Sequence, residues 1–268
     1  MLDLGKKNVL GVRINAVDYA AAVQKIIAHA KSGSSFGVSA LAVHGVMTGV
    51  LDATHRHRLN GLELIVPDGQ PVRWALNLLH ETQLTDRVYG PTLMLKTCEA
   101  AAAAKIPIYL FGSTASILED LERNLTDQFP QLIIAGKQAS RFRTLSAEEK
   151  AQVVSEIKSS GAGITFVGLG CPRQEVWAYE FKDDLNMPVL AVGAAFAFHA
   201  GQLAQAPSAM QRAGLEWLYR LGREPNRLWR RYALLNPQYV YLLTLQWAGM
   251  RKFDPTNTTA PSDETRYG

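Results

Sequence analysis

Short and almost wholly apolar segments alternate along this chain with segments that carry helix signals. Residues 106–111 and 163–167 are two of the apolar runs, and they precede helical segments of about a dozen residues at 114–128 and 172–185. A strand that is apolar on both faces has to be covered on both faces, as strands are in parallel sheets crossed by helices. The alternation therefore predicts an α/β fold, in which a parallel sheet is flanked by helices.

The character of the chain changes after residue 206. Residues 207–252 are rich in tryptophan, tyrosine and arginine and hold few acids. Within them, the step Asn236-Pro237 predicts the start of a new helix. Residues 253–268 are mainly Pro, Thr, Asn and Ser, a composition that is typical of disorder. We therefore predict three parts: a core at residues 1–206, a helical, basic and aromatic appendage at residues 207–252, and a disordered tail at residues 253–268.

Composition and charge exclude several classes of protein. With 47% hydrophobic and 19% charged residues, the chain is globular rather than disordered or fibrous. Its net charge is +4 and its basic residues concentrate in one segment, which argues against a nucleic-acid binder. Cys98 and Cys171 have neither disulfide nor metal spacing, so a cytoplasmic location fits best. We find no signal peptide and no apolar run of the roughly 20 residues that span a bilayer, so we expect a soluble protein or one on a membrane surface.

The stretch from Leu64 to Gln70 presents a carboxylate at the end of a predicted strand. The apolar run ends at Pro67, and Asp68 follows at once, before a predicted helix. Ligands of open α/β sheets bind at the edge formed by the carboxyl ends of the strands. Asp68 is therefore a candidate functional carboxylate. The alternative is a plain Pro-Asp-Gly turn, in which Asp68 caps the next helix.

Other predicted strands end in loops suited to a phosphate group. One continues as Gly-Leu-Gly-Cys-Pro-Arg-Gln, a shorter one as Gly-Ser-Thr, and a third ends at a glycine. Glycines let the backbone approach a ligand, and the N-terminus of the following helix attracts an anion. Either of the first two loops could instead be a tight structural turn. The candidate substrate-binding residues in these loops are Gly112, Ser113, Gly168, Gly170, Arg173, Gln174 and Gly193.

Several nucleotide-binding motifs are absent. The glycine loop lacks the third glycine of the dinucleotide fingerprint, and the chain has no Walker A lysine motif. It also has no Asp-x-Asp pair to hold a divalent metal against the diphosphate of a nucleotide sugar. We therefore expect no metal and no cofactor, and a diphosphate would have to be neutralised by arginines and helix dipoles. The available arginines are Arg87 and, in the appendage, Arg220, Arg223, Arg227, Arg230 and Arg231.

Four motifs, taken together, resemble the WecG/TagA/CpsF family, which is glycosyltransferase family 26. The motifs are residues 66–69 (Val-Pro-Asp-Gly), 87–90 (Arg-Val-Tyr-Gly), 167–175 (Val-Gly-Leu-Gly-Cys-Pro-Arg-Gln-Glu) and 214–221 (Gly-Leu-Glu-Trp-Leu-Tyr-Arg-Leu). The resemblance covers about residues 9–247, in the order and spacing of the family. It implies an inverting, metal-independent glycosyltransferase with the Rossmann-like arrangement called GT-E.

The resemblance also implies substrates and residue roles. Such enzymes move a sugar from a nucleotide diphosphate, here expected to be UDP, onto a polyprenyl-diphosphate-linked sugar for a wall polymer, an antigen or an exopolysaccharide. Asp68 is implied as the general base, and Arg87 and Gln174 as contacts of the donor's diphosphate and sugar. The appendage is implied to close over the active site at an anionic membrane surface. We therefore expect a peripheral protein on the inner face of the plasma membrane, and its oligomeric state stays open, a homo-oligomer included.

Three alanines depart from the family pattern and keep an alternative open. Ala40 and Ala42 stand where many members have Thr and Asn, and Ala197 replaces the acid of a Phe-Asp-Phe sequence. A non-catalytic, nucleotide-binding scaffold subunit of a polysaccharide assembly complex would tolerate these changes. Donor hydrolysis or sugar transfer in vitro separates this hypothesis from the enzyme.

Overall fold

A computed structural model describes the backbone of residues 1–268 and every side chain except those of Arg227 and Arg231, so two of the predicted basic-site residues lie outside the described side chains. The strands are β1 Asp3–Val9, β2 Val12–Val17, β3 Phe36–Leu41, β4 Leu64–Pro67, β5 Ile108–Gly112, β6 Ile134–Gln138, β7 Ile164–Gly168 and β8 Pro188–Ala191. The helices are α1 Tyr19–Ser32, α2 Val43–Leu51, α3 Ala53–Asn60, α4 Gln70–His80, α5 Gly90–Ala104, α6 Ala115–Gln128, α7 Ala147–Ser159, α8 Arg173–Leu185, α9 Ala195–His199, α10 Ser208–Arg212, α11 Glu216–Arg223 and α12 Pro225–Trp247.

Six strands form one parallel sheet in the order β4-β3-β8-β7-β5-β6, which confirms the predicted α/β fold. Alternate residues of β5 enter opposite cores: Leu110 packs in one apolar cluster and Phe111 in the other. This is the period-two burial of a sheet that is covered on both faces. The chain first moves outward from β3 to β4 and later returns to the other side of β3 with β8. The strand order therefore reverses between β3 and β8, which is where ligands of open sheets bind.

An amino-terminal hairpin of β1 and β2 covers the edge of the sheet, and the sequence did not predict it. Its turn holds Leu10 and Gly11 at φ 54° and 86°, the left-handed pair of a type I′ turn. Leucine is uncommon in that conformation, so the sequence carried no turn signal. The side chain of Asn15 accepts a hydrogen bond of 2.8 Å from the N–H of Ile65 on β4. The hairpin thereby caps an edge that would otherwise be open to pairing.

The helix predicted over residues 46–58 is in fact two helices, α2 and α3. Asp52 leaves the helical conformation at φ −125°, and its carboxylate accepts hydrogen bonds from the N–H groups of Thr54 and His55 at 2.8 and 3.0 Å. An aspartate that bonds to the backbone just after it favours a new helix start over continuation of the old helix. The break lets α2 pack against α12 while α3 packs against α8.

The carboxyl-terminal helices join the core rather than standing apart from it. The new helix predicted at Asn236-Pro237 does not begin there, because α12 continues through Pro237. The second half of α12 is held by packing: Tyr239 and Leu242 are buried in the main apolar cluster. The hydroxyl of Tyr239 also donates to the carbonyl of Pro71 at 3.1 Å. Residues on both sides of the boundary predicted at residue 206 therefore contribute to one apolar cluster.

Residues 253–268, which we expected to be disordered, run back along the core in the structure. The N–H groups of Thr265 and Arg266 donate to the carboxylate of Glu180 on α8 at 2.9 and 2.8 Å. Tyr267 forms an isolated antiparallel bridge with Thr144. Composition alone does not reveal such order, because it comes from backbone hydrogen bonds to distant groups rather than from apolar side chains in the segment itself.

Candidate active site

Two cavities adjoin at the carboxyl edge of the sheet. The larger, of about 570 Å³, is called here the loop cavity, because the loops after β5, β7 and β8 line it. The smaller, of about 340 Å³, is called the helix cavity, because it lies between the β4–α4 turn and the helices α11 and α12. Both are bounded by Ala42, His44, Asp68, Glu216 and Arg220. This shared wall holds the groups that can act on ligands in either cavity.

Asp68 stands in the shared wall with one oxygen engaged. Its Oδ1 accepts a hydrogen bond of 2.6 Å from the N–H of Gly90 at the start of α5. It does not cap α4, whose first turn has no side-chain cap, so the plain-turn alternative does not describe this residue. Burial raises the pKa of Asp68 to about 6, an effect that Arg87 and Arg220 oppose and the charge of Glu216 reinforces. A carboxyl group with this pKa can take up a proton near neutral pH.

Arg87 lies in the helix cavity, where it is bound by the carboxyl-terminal helices. Its Nη2 donates to Oε2 of Glu216 at 2.7 Å and to Oε1 of Gln211 at 3.1 Å. The other oxygen of Glu216 accepts from the hydroxyl of Tyr89 at 2.9 Å, and the Arg87 guanidinium lies 4.0 Å from the centroid of the Tyr89 ring. The Arg87–Glu216 pair is largely buried, which strengthens the interaction of its charges. The predicted donor contact is thus engaged by the chain's own carboxylate.

Glu216 is a site residue that the sequence reasoning quoted within a motif without giving it a role. A signal was present, because Glu216 and Glu224 are the acids of a segment that is otherwise strongly basic. An acid kept in such a segment is a candidate partner for a buried arginine. What the sequence did not show is that the partner is Arg87, more than a hundred residues earlier in the chain.

The predicted phosphate loops come together around the loop cavity. Ser113, Gly168, Gly170, Arg173, Gln174 and Gly193 line it, and Gly112 pairs with Gly168 in the sheet behind them. The first turn of α8 also lines it, so the helix dipole favours an anion there. Glycine is required at two of these positions. Gly193 has φ 55° and a Cβ there would lie 2.6 Å from Oε1 of Gln174; Gly112 has φ 101° and its Cβ would lie 2.9 Å from Leu169.

A buried carboxylate holds Gln174 in place. Oε1 of Gln174 accepts from the N–H of Gly170 at 3.0 Å, and its Nε2 donates to Oε1 of Glu175 at 2.9 Å. The hydroxyl of Ser39 donates to the same oxygen of Glu175 at 3.1 Å. Burial raises the pKa of Glu175, and the bonds from Gln174 and Ser39 act against that rise. This network fixes the orientation of the Gln174 amide at the edge of the loop cavity.

The described arginines of the carboxyl-terminal helices divide into two groups. Arg220 lines both cavities, and its Nε is buried without a hydrogen-bond partner among the described groups. Arg223 and Arg230 are exposed, and their guanidinium groups lie 5.4 Å from the ring centroids of Tyr219 and Trp229. Of these three, Arg220 is the arginine placed to meet a ligand in the site.

The described residues contain neither a cluster of metal ligands nor a membrane-spanning helix. No three His, Cys, Asp or Glu side chains cluster there as a metal site would need. No helix in the described part of the chain combines the length and the apolar character that crossing a membrane takes. α11 and α12 nevertheless carry exposed apolar side chains, namely Leu218, Trp229, Leu234, Tyr241 and Trp247. These side chains form a candidate interaction surface.

The structure is thus an α/β protein with glycine loops around one cavity, a second cavity beside it and a carboxylate in the wall between them, which together form a candidate active site. The chain matches the glycosyl transferase WecG/TagA/CpsF family over residues 7–253, and it belongs to that family. The predicted family is confirmed. The chain is accordingly a glycosyltransferase of cell-surface polymer synthesis, a class that works in general between a nucleotide-sugar donor and a lipid-linked acceptor.

Proposed function

We propose that this chain is an inverting hexosyltransferase that moves a sugar from UDP onto a hydroxyl of a sugar carried by a polyprenyl diphosphate. The observation that carries the proposal is the position of Asp68 in the wall shared by the two cavities. A base at that point can reach the hydroxyl of a ligand in one cavity while facing the anomeric carbon of a ligand in the other.

The loop cavity suits the donor. Its glycine loops, the first turn of α8 and the guanidinium of Arg173 offer backbone N–H groups, a helix dipole and a positive charge to a diphosphate. Its volume of about 570 Å³ falls in the range of small-molecule sites. Gln174, held by Glu175, is placed to contact the sugar or the phosphate nearest to it.

The helix cavity suits the lipid-linked acceptor. Trp217, Tyr232, Leu235 and Val240 line it, so most of its wall toward α11 and α12 is apolar or aromatic. Those are also the helices whose outer faces expose apolar side chains. A prenyl chain could therefore pass from a lipid surface into this cavity and bring its sugar to Asp68.

The reaction is a single displacement. The acceptor hydroxyl oxygen bonds to the anomeric carbon as the bond from that carbon to the donor's diphosphate oxygen breaks, and Asp68 takes the hydroxyl proton. Attack from the face opposite the leaving group inverts the configuration. The diphosphate leaves with the bonding electron pair, and the unpartnered Nε of Arg220 is a suitable donor to it. In this proposal arginine and backbone N–H groups, rather than a metal, stabilise the leaving group.

We place the protein on the inner face of the plasma membrane. Exposed Arg223 and Arg230 lie beside the exposed aromatic and aliphatic side chains of α11 and α12. Apolar side chains that enter the headgroup region, together with cations that face anionic lipids, are the usual means of peripheral attachment. The acceptor would then be drawn from the same leaflet.

A second candidate is a non-catalytic, nucleotide-binding scaffold subunit. The observation in its favour is that Ala40, Ala42 and Ala197 all line the loop cavity. Their methyl groups give a donor sugar no hydrogen bond, whereas sugar recognition depends on polar groups. A protein of this kind would bind a nucleotide and leave the sugar untouched.

The test is a panel of UDP- and GDP-sugars assayed with a short-chain, lipid-diphosphate-linked sugar, with and without excess EDTA. The proposal expects transfer from a UDP-hexose, inversion at the anomeric carbon and a rate that EDTA does not change. Binding of UDP with neither transfer nor donor hydrolysis, for any sugar, would favour the scaffold. Loss of transfer in EDTA, restored by Mg²⁺ or Mn²⁺, would refute the proposed stabilisation of the leaving group.

A further inference from the structure

We propose that residues 264–268 form a strap that positions the outer wall of the loop cavity for the donor, with Tyr267 as its chief positioning residue. The strap is defined as Glu264, Thr265, Arg266, Tyr267 and Gly268. It lies beyond residues 7–253, the part of the chain that matches the family. The inference rests on the proposed function in one respect, which is that the ligand of the loop cavity is a nucleotide diphosphate.

The strap is anchored on α8, the helix whose first turn lines the loop cavity. Both oxygens of the Glu180 carboxylate are used: one accepts from the N–H of Thr265 and from Arg58 at 2.9 and 3.3 Å, and the other from the N–H of Arg266 at 2.8 Å. A second anchor joins Glu264 to Lys150 of α7 at 2.7 Å. The Glu180 side chain is almost fully buried, so the anchor is shielded from water.

From this anchor the strap pairs with the loop between β6 and α7, residues 139–146. The N–H of Leu145 donates to the carbonyl of Arg266 at 2.7 Å, and the N–H of Gly268 donates to the carbonyl of Arg143 at 3.0 Å. The hydroxyl of Ser140 donates to the carbonyl of Gly268 at 2.7 Å. Two backbone groups and one side chain of the loop are thus tied to two residues of the strap.

The loop that is tied in this way belongs to the wall of the loop cavity. Phe142 lines the cavity, and its N–H donates to the hydroxyl of Ser140 at 2.9 Å. The N–H of Ser140 in turn donates to the carbonyl of Ser113, another residue of the cavity wall, at 3.1 Å. Phe142 also has φ 53°, an uncommon conformation for a side chain of that size, so it needs surrounding contacts to hold it.

The strap also contacts Arg173, a further residue of the loop cavity wall. The guanidinium of Arg173 lies 5.5 Å from the centroid of the Tyr267 ring, within the range of a cation–π contact. Arg173 lines the cavity but is otherwise exposed, and a long exposed side chain samples many rotamers. The Tyr267 ring restricts that freedom, so less order has to be gained when a diphosphate binds.

The test measures UDP binding by calorimetry and transfer kinetics on the full chain, unaltered and with Tyr267→Ala, Tyr267→Phe or Gly268→Ala. Tyr267→Ala frees the Arg173 side chain, which must then be ordered when the diphosphate binds, so the Kd for UDP and the donor KM should rise about two- to fivefold. Acceptor KM and kcat should stay unchanged. Tyr267→Phe keeps the ring and should keep the unaltered values, and the rise of donor KM in Tyr267→Ala at unchanged kcat separates positioning from a general structural loss.

Gly268→Ala tests the strap independently of the Tyr267 ring. A Cβ there would lie 2.4 Å from the Leu145 side chain, so that side chain or the end of the strap has to shift, and donor KM should rise. Thr259→Ala, an exposed substitution earlier in the same tail, is the matched control and should change neither constant. Unchanged UDP affinity in both Tyr267→Ala and Gly268→Ala would overturn the strap and leave the donor proposal standing. Failure of the unaltered chain to bind UDP would instead overturn the nucleotide donor, and the strap's role with it.

Discussion

At the scale of single residues, the proposed reaction depends on how the surroundings of Asp68 set its charge. Burial raises its pKa from the ordinary 3.8 to about 6. A base works in its deprotonated form, so kcat/KM, which reports the pKa of the free enzyme, should rise with pH through about 6 and level off above it. Asp68→Asn should lower kcat by about 10²–10⁴-fold, because an amide takes no proton, while the Kd for UDP changes little. The measurement is kcat/KM against pH together with UDP calorimetry, and near-normal transfer by the variant would exclude a base role.

Glu216 should influence that titration from the carboxyl-terminal side. It adds a negative charge near Asp68 and also holds Arg87, whose positive charge lowers the pKa of Asp68. Glu216→Gln keeps the shape and removes the negative charge that raises the pKa of Asp68, so that pKa should fall. We expect the acidic limb of kcat/KM to move to lower pH. Glu224→Gln, which lies in the same segment outside both cavities, is the control, and an unmoved limb in Glu216→Gln would contradict this account.

At the scale of elements, α12 serves two surfaces at once. Its inner face supplies Tyr239 and Leu242 to the core, so deletion of residues 207–252 would open the core and could not test membrane binding. Membrane binding can instead be tested by substituting exposed arginines on α11 and α12. A basic residue near an anionic leaflet contributes about 1 kcal/mol, so Arg223→Gln with Arg230→Gln should weaken binding to anionic vesicles by about thirtyfold.

The matched control for that pair is Lys31→Gln with Lys105→Gln, which removes the same charge from exposed sites elsewhere. Vesicle sedimentation at low and high salt gives the measurement. The control should bind like the unaltered chain, and high salt should release both proteins because the attraction is screened. Equal losses in the two double variants would show that net charge, rather than these helices, governs the binding.

These elements also show which features of the fold can be predicted from the sequence and which cannot. Apolar strands that alternate with helices are local patterns, so the parallel sheet and its glycine loops were predictable. The capping by Asp52 was missed because an aspartate inside a helical pattern fits either a helix or a cap. The continuity of α12 through Pro237 was missed because packing of its neighbours outweighs the lost hydrogen bond. The Arg87–Glu216 pair and the strap join residues remote in sequence, and no local pattern encodes such contacts.

At the scale of the whole molecule, one guanidinium connects the two cavities. Arg220 comes from α11, yet it lines both the loop cavity and the helix cavity, and its buried Nε has no partner among the described groups. A diphosphate from either side could satisfy that group, the donor's from the loop cavity and the lipid's from the helix cavity. The site is therefore complete when the carboxyl-terminal helices rest on the core, as the buried Arg87–Glu216 pair and Tyr239 hold them.

This arrangement predicts that Arg220→Gln weakens the binding of both substrates. A ligand at one hundred times its Kd stabilises the folded state by about 2.7 kcal/mol, which in a chain of this size raises Tm by roughly 5–10 °C. Loss of a charged hydrogen bond weakens binding about tenfold, so Arg220→Gln should reduce that rise by about half at the same ligand concentration. We expect the reduction with UDP and, separately, with a short-chain polyprenyl diphosphate. Arg223→Gln, which alters an exposed arginine on the same helix, should keep both shifts. If Arg220→Gln reduces the Tm shift for only one of the two ligands, Arg220 contacts the ligand of one cavity alone. The shared wall would then separate the two sites without connecting them.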